Sequence, residues 1–128
     1  MSHDMFACSA TGCELVSLDL RGAVCTLSVA SHHLNAAGVV MGGALFTLAD
    51  FAIAAAMNSE CIAANEPPTW VSTESHIHYI RPAKQGTLCA EAECLHQGRS
   101  TCLYRVTITD RDGNLVATVE ASGLKKQS

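Results

Sequence analysis

A chain of 128 residues is long enough to bury one core and too short for two, so residues 1–128 are expected to form a single domain. Apolar residues make up 48% of it and charged residues only 16%, which excludes a disordered chain and suggests a surface covered by a partner, such as a second copy. A net charge of -4 and a pI near 5.8 exclude broad attraction to nucleic acid or an anionic membrane, while local basic spots remain available to phosphate.

The N-terminal stretch from Met1 to Ala10 has no apolar run and is not expected to act as an export signal, so the protein is expected to stay in the cytoplasm. Its seven cysteines are odd in number and contain no Cys-x-x-Cys pair; they read as free thiols filling apolar positions in a reducing compartment. A first strand is predicted from Cys13 to Leu20, a tight turn at Arg21-Gly22, and a second strand from Ala23 to Val29. In the second, Ala23, Cys25, Leu27 and Val29 alternate with Val24, Thr26 and Ser28, the period of a half-buried strand.

A polar loop from Ser31 to Gly38 then leads to a helix over Ala44 to Met57, roughly four turns or about 20 Å. Only Thr47 and Asp50 break its apolar surface, so the helix is expected to be buried all round. It falls short of the ~20 residues a bilayer requires and lacks basic flanks, so no membrane span is expected.

Asn65-Glu66-Pro67-Pro68 breaks the chain, and four strands follow at about Thr69–Ile80, Thr87–His96, Ser100–Asp110 and Leu115–Leu124. Leu88, Ala90, Ala92 and Cys94 form one apolar face, Cys102, Tyr104, Val106 and Ile108 another, and Leu115, Ala117, Val119 and Ala121 a third. The breaks between strands are short, with an Asp-Gly turn at Asp112-Gly113, which favours antiparallel neighbours. The expected fold is therefore α+β, an antiparallel sheet wrapped around one long central helix. One helix covers only part of such a sheet, and its own far side also needs cover, which a second copy would supply.

A carboxylate inside an apolar helix is costly unless it is paired or used, so Asp50 is a candidate functional residue. A side chain that merely caps backbone or pairs with an arginine would satisfy the same pattern. Just before the helix, Gly42-Gly43 leaves the backbone open to a ligand where free N–H groups favour developing negative charge. Those are the ingredients of an oxyanion hole, although a Gly-Gly pair by itself also suits a plain loop-to-helix turn.

The segment Asn35-x-x-Gly38-x-x-Met41-Gly42-Gly43, continuing through Ala44-Leu45-Phe46-Thr47-Leu48-Ala49-Asp50, resembles the signature of hotdog-fold thioesterases of the phenylacetate-degradation type. The likeness extends through Val71 to Ala83 and the Gly98-Arg99-Ser100 turn. The resemblance implies an acyl-CoA thioesterase with a hotdog fold, working as a dimer with a continuous sheet or as a tetramer of two such dimers, with active sites between subunits. It implies Asp50 as nucleophile or general base, the Gly42 N–H as oxyanion donor, Asn35 orienting substrate or water, and Ser72 assisting the water or Asp50. Coenzyme A would enter only as part of the substrate, a short- or medium-chain or aryl acyl-CoA, with no cofactor and no metal.

Where most such proteins carry histidine, this chain has Met41, which can neither donate nor exchange a proton. A slower reaction or a shifted acyl preference is the expected consequence, with Met41 and Gly43 beside the substrate. The resemblance puts Arg81, Pro82, Gly98, Arg99 and Ser100 along the pantetheine and nucleotide path, and Lys84 is a further candidate cation. Simple solvated charges at turns explain any one of these cations equally well. Lys125 and Lys126 read as a loose tail, His76-x-His78 lacks a third and fourth metal ligand, and Trp70 and Tyr79 read as core or interface. A hotdog hydratase and a non-catalytic acyl-CoA-binding module are the rival readings; absence of a histidine partner for Asp50 argues against the first, while Met41 favours the second.

Overall fold

The computed structural model describes residues 6–126; residues 1–5, within the stretch read as no export signal, and residues 127–128 lie outside the described residues. A π-helical turn (Phe6–Thr11) precedes β1 (Cys13–Asp19) and β2 (Gly22–Ser28), and a 3-10 turn (Ser31–His33) precedes helix α1 (Gly42–Met57). A short helix α2 (Ser59–Ala63) leads into β3 (Trp70–Tyr79), β4 (Thr87–Gln97), β5 (Thr101–Thr109) and β6 (Leu115–Lys125). The six strands fall within one residue of their expected bounds. Both short turns and α2 escaped the sequence pattern, since a few residues carry no readable period.

All strand pairs are antiparallel, in the order β1-β2-β4-β5-β6-β3. α1 lies mainly over β2, β4 and β5. Its underside meets fully buried Leu27, Leu88, Tyr104, Val106 and Ile108, each large side chain contributing on the order of 1.5–3 kcal/mol on leaving water. No helix among the described residues is long and apolar enough to cross a membrane.

Two expectations need correction. Val116, not Leu115, is buried at the start of β6: the register jumps from Ile108↔Ala117 to Thr109↔Leu115, so Val116 is an extra, inward-turned residue, while Leu115 is 37% exposed. The helix is also not buried all round, because a single sheet covers one side; Gly43 and Asp50 are exposed and Phe46, Thr47 and Ala54 only half-buried. That outer stripe is the surface a second copy would cover.

Cys13, Cys25, Cys61, Cys89, Cys94 and Cys102 are free thiols, with Cys13, Cys25 and Cys102 buried. Burial pushes the thiols of Cys13 and Cys25 up to about 12, so at neutral pH neither is a thiolate. In the native protein at pH 8, an alkylating reagent is expected to label half-buried Cys61 well before Cys13 or Cys25, as read by mass spectrometry of the digest. Early labelling of Cys25 would contradict this packing.

Candidate active site

The start of α1 is set by Met41, whose extended backbone places its carbonyl to accept the N–H groups of Ala44 at 3.0 Å and Leu45 at 3.2 Å. Gly42 and Gly43 are thus the first two helical residues rather than a loop, and their N–H groups have no acceptor among the described residues. They point out of the positive end of the helix dipole, the arrangement an oxyanion hole needs. A Cβ on Gly42 would lie 2.7 Å from Tyr79 Oη and 2.9 Å from its Cζ, so any larger residue would push that ring away from the backbone.

The loop feeding this helix is tied down from behind. His33 is buried, its Nδ1 accepting the Ala30 N–H at 2.9 Å and its Nε2 bonding the Thr11 carbonyl, while its own carbonyl accepts the Met41 N–H at 2.8 Å. Asn35 is exposed, and its Oδ1 accepts the N–H groups of Ala37 at 2.9 Å and Val39 at 3.3 Å. Its carbonyl oxygen therefore shapes the loop, and the Nδ2 amide is what remains to meet a substrate or water. Met41 is 42% exposed beside Gly42.

Asp50 corrects the sequence reading most. Instead of being sunk in the core, it stands exposed on the outer stripe of α1. It borders an open groove of about 800 Å³ together with Ser72, Ala54, Met57, Trp70 and Val71. Ser72 reaches this side because the register of β3 jumps between Ser72↔Gly123 and Glu74↔Ser122; the bulge at Thr73 keeps Ser72 on the helix face. Asp50 and Ser72, separate in sequence, are thus brought together.

Gly42 and Asp50 are not. Eight residues of helix separate them, about 12 Å along the axis. One carbonyl group touching an oxyanion donor and a base within about 3 Å of each cannot bridge that gap. A single chain holds the two halves of the chemistry apart.

The groove's floor is fixed by Asn58, which gave no sequence signal. Buried at the end of α1, it accepts the N–H groups of Thr69 at 2.9 Å and Trp70 at 2.8 Å through Oδ1. Its Nδ2 donates to the carbonyls of Ala54 at 3.0 Å and Trp70 at 3.1 Å, so all its capacity is used. The strand carrying Ser72 is thereby fastened to the helix carrying Asp50.

The expected cations divide between the two ends of the sheet. Gly98 and Arg99 line a cleft of about 370 Å³ with Arg21 and Lys125, and Met57 and Trp70 border both this cleft and the Asp50 groove. The close Gly98 N–H to Thr101 carbonyl bond of 2.8 Å makes the tight turn, and Ser100 presents its carbonyl to the Lys125 N–H at 2.9 Å. Lys125 therefore belongs to β6 and not to a loose tail, and Lys126 is held too, its N–H bonding the Thr69 carbonyl at 2.6 Å. Arg21 was missed because it reads as a turn residue, which its φ of 58° confirms it is.

Arg81, Pro82 and Lys84 lie just beyond the opposite end of β3, on the Gly42 side; the Arg81 charge helps hold the Asp110 carboxyl below its usual range, behind the larger effect of the Asn114 N–H. His76 and His78 project from the sheet's outer face, Nε2 to Nε2 3.4 Å, and no group of three metal-ligating residues occurs among the described residues. Trp70 is a core residue as expected, whereas Tyr79 is 56% exposed.

Comparison with known proteins bears on this geometry. The family model described as the thioesterase superfamily matches residues 37–117. The acyl-coenzyme A thioesterase PaaI of Escherichia coli K12 is 37% identical over 121 residues, 91% of this chain and 82% of that one. The solved structure of the E. coli PaaI protein superimposes with a TM-score of 0.86 at 30% identity, covering 99% of this chain and 91% of its own. A hypothetical thioesterase of Streptococcus pneumoniae, solved with coenzyme A, superimposes with a TM-score of 0.83 at 28% identity, covering 100% and 99%. The six-stranded antiparallel sheet on one long helix is the hotdog architecture shared with these structures.

Proposed function

Because this chain belongs to the thioesterase superfamily, we propose that it hydrolyses acyl-CoA thioesters, with Asp50 as general base and the Gly42 N–H as oxyanion donor. The observation that carries this reading is the pairing of an accessible carboxylate, set in an apolar groove beside Ser72, with uncommitted amides at the N-terminus of the same helix. Asp50 takes a proton from water, whose oxygen bonds to the acyl carbon. The carbonyl electrons collect on an oxygen held by Gly42, then return as the carbon–sulfur bond breaks. The departing thiolate takes the proton from the Asp50 carboxyl, which balances the cycle without metal or cofactor.

The distance along α1 supports a composite site, in which Asp50 of one copy works with Gly42 of another in a dimer or a tetramer of dimers. The outer stripe of exposed Gly43 and Asp50 with half-buried Phe46 and Ala54, and the outer edge of β3, unpaired among the described residues, suit such an assembly. Ala54, Met57, Trp70 and Val71 suit a short or medium aliphatic chain or an aryl group, and Ser72 and Asn35 orient the water and the substrate. Arg99, with Arg21 and Lys125, would meet the coenzyme phosphates; Gly98 and Ser100 form that turn, and Arg81, Pro82 and Lys84 of the second copy approach from the other side. Among the described residues no histidine lines the Asp50 groove, which disfavours a hydratase. The free thiols of Cys13, Cys25, Cys61, Cys89, Cys94 and Cys102 suit a reducing compartment such as the cytoplasm.

Thiol release from a panel of acyl-CoAs tests the activity, and a folded protein that releases none is not a thioesterase. Arg99→Gln is expected to raise KM for acyl-CoA about tenfold, to leave kcat near wild type, and to leave KM unchanged for the matching acyl-pantetheine, which lacks the nucleotide phosphates. Equal losses on both substrates would remove Arg99 from the phosphate site.

A further inference from the structure

Resting on the thioesterase reading, we propose that the Tyr79 hydroxyl is a second hydrogen-bond donor to the thioester carbonyl oxygen, beside the Gly42 N–H. Its Oη lies 2.7 Å from where a Gly42 Cβ would be. A Cβ is about 2.5 Å from its own amide nitrogen, so Oη and the Gly42 nitrogen are no more than about 5 Å apart. Two donors at that separation share a point about 3 Å from each, the distance at which donors hold a developing oxyanion.

The hydroxyl is available for this. Tyr79 is 56% exposed, and its Oη makes no hydrogen bond among the described residues. Packing alone does not call for it, since phenylalanine would cover Gly42 equally well. The backbone that carries the ring is also held in place: Tyr79 pairs with Ala117 on β6, and the next two N–H groups, of Ile80 and Arg81, both bond the Val116 carbonyl, at 2.8 and 3.1 Å. Gly42 and Tyr79 belong to one chain, so the two donors form one half of the composite site whatever the second copy does. Met41, the other side chain beside Gly42, has no donor to offer.

Tyr79→Phe keeps the ring and removes only the oxygen. With an acyl-CoA that the wild type hydrolyses, kcat is expected to fall roughly 10- to 100-fold while KM and the melting temperature stay at their wild-type values. A kcat within twofold of wild type, a loss confined to KM, or a loss accompanied by a lower melting temperature would each overturn the assignment. Asp50→Asn, measured alongside, separates the two levels. If the wild type is active, Asp50→Asn is inactive and Tyr79→Phe is undiminished, only the Tyr79 role falls; a folded wild type inactive on every acyl-CoA takes both down.

Discussion

Asp50→Asn is expected to lower kcat for acyl-CoA hydrolysis about a thousandfold, within the range a positioned general base contributes. Asparagine keeps the shape of the side chain and loses the ability to accept the proton from water. Because asparagine matches aspartate in size and shape, the variant is expected to keep the wild-type melting temperature and oligomer size, measured alongside so that lost activity is not blamed on unfolding or dissociation. The composite site makes a sharper demand. Gly42→Ala would thrust a methyl group against the Tyr79 ring, 2.7 Å from its oxygen, and is expected to be inactive as well. Co-expressing the two variants should restore about a quarter of wild-type activity: about half of random dimers are mixed, and each mixed dimer has one intact site of two. Undiminished turnover by Asp50→Asn would remove the base, and no recovery in the mixture would mean that both residues act within one chain.

Asn58→Ala is expected to be the most destabilising single change at the site, at about 3–5 kcal/mol in urea unfolding. Three of its four hydrogen bonds tie the end of α1 to Thr69 and Trp70 at the start of β3, the fourth returning to Ala54 within α1, and alanine leaves the N–H groups of Thr69 and Trp70 without the acceptor they have in a water-poor setting. Each buried group stranded this way costs about 1–3 kcal/mol, set against a total stability of about 5–15 kcal/mol. A loss under about 1 kcal/mol would show that water replaces the amide and that the clamp is not structural.

The residues legible in the sequence were those whose meaning is local. Strand alternation, the Asp-Gly turn and the unbroken apolar run from Ala44 to Met57 fixed six strands and a helix to within a residue or two, because backbone periods of 2 and 3.6 act between near neighbours. Asp50 stood out as a charge in an apolar run, and Gly42-Gly43 as bare backbone before a helix. The same local signals misled where packing intervened: Val116 took the inward place expected of Leu115, and Lys125 joined the sheet.

What lies between distant residues was decided by tertiary structure alone. Tyr79 on Gly42, Asn58 under Trp70, Arg21 and Lys125 beside Arg99, and the exposure of Asp50 each depend on which elements the sheet order brings together. The sequence determined that an apolar helix carries one carboxylate and begins with two glycines. Only the fold showed that its sheet covers one side of the helix, leaving the carboxylate exposed, and that the rigid rise of the helix sets residue 50 about 12 Å along the axis from Gly42.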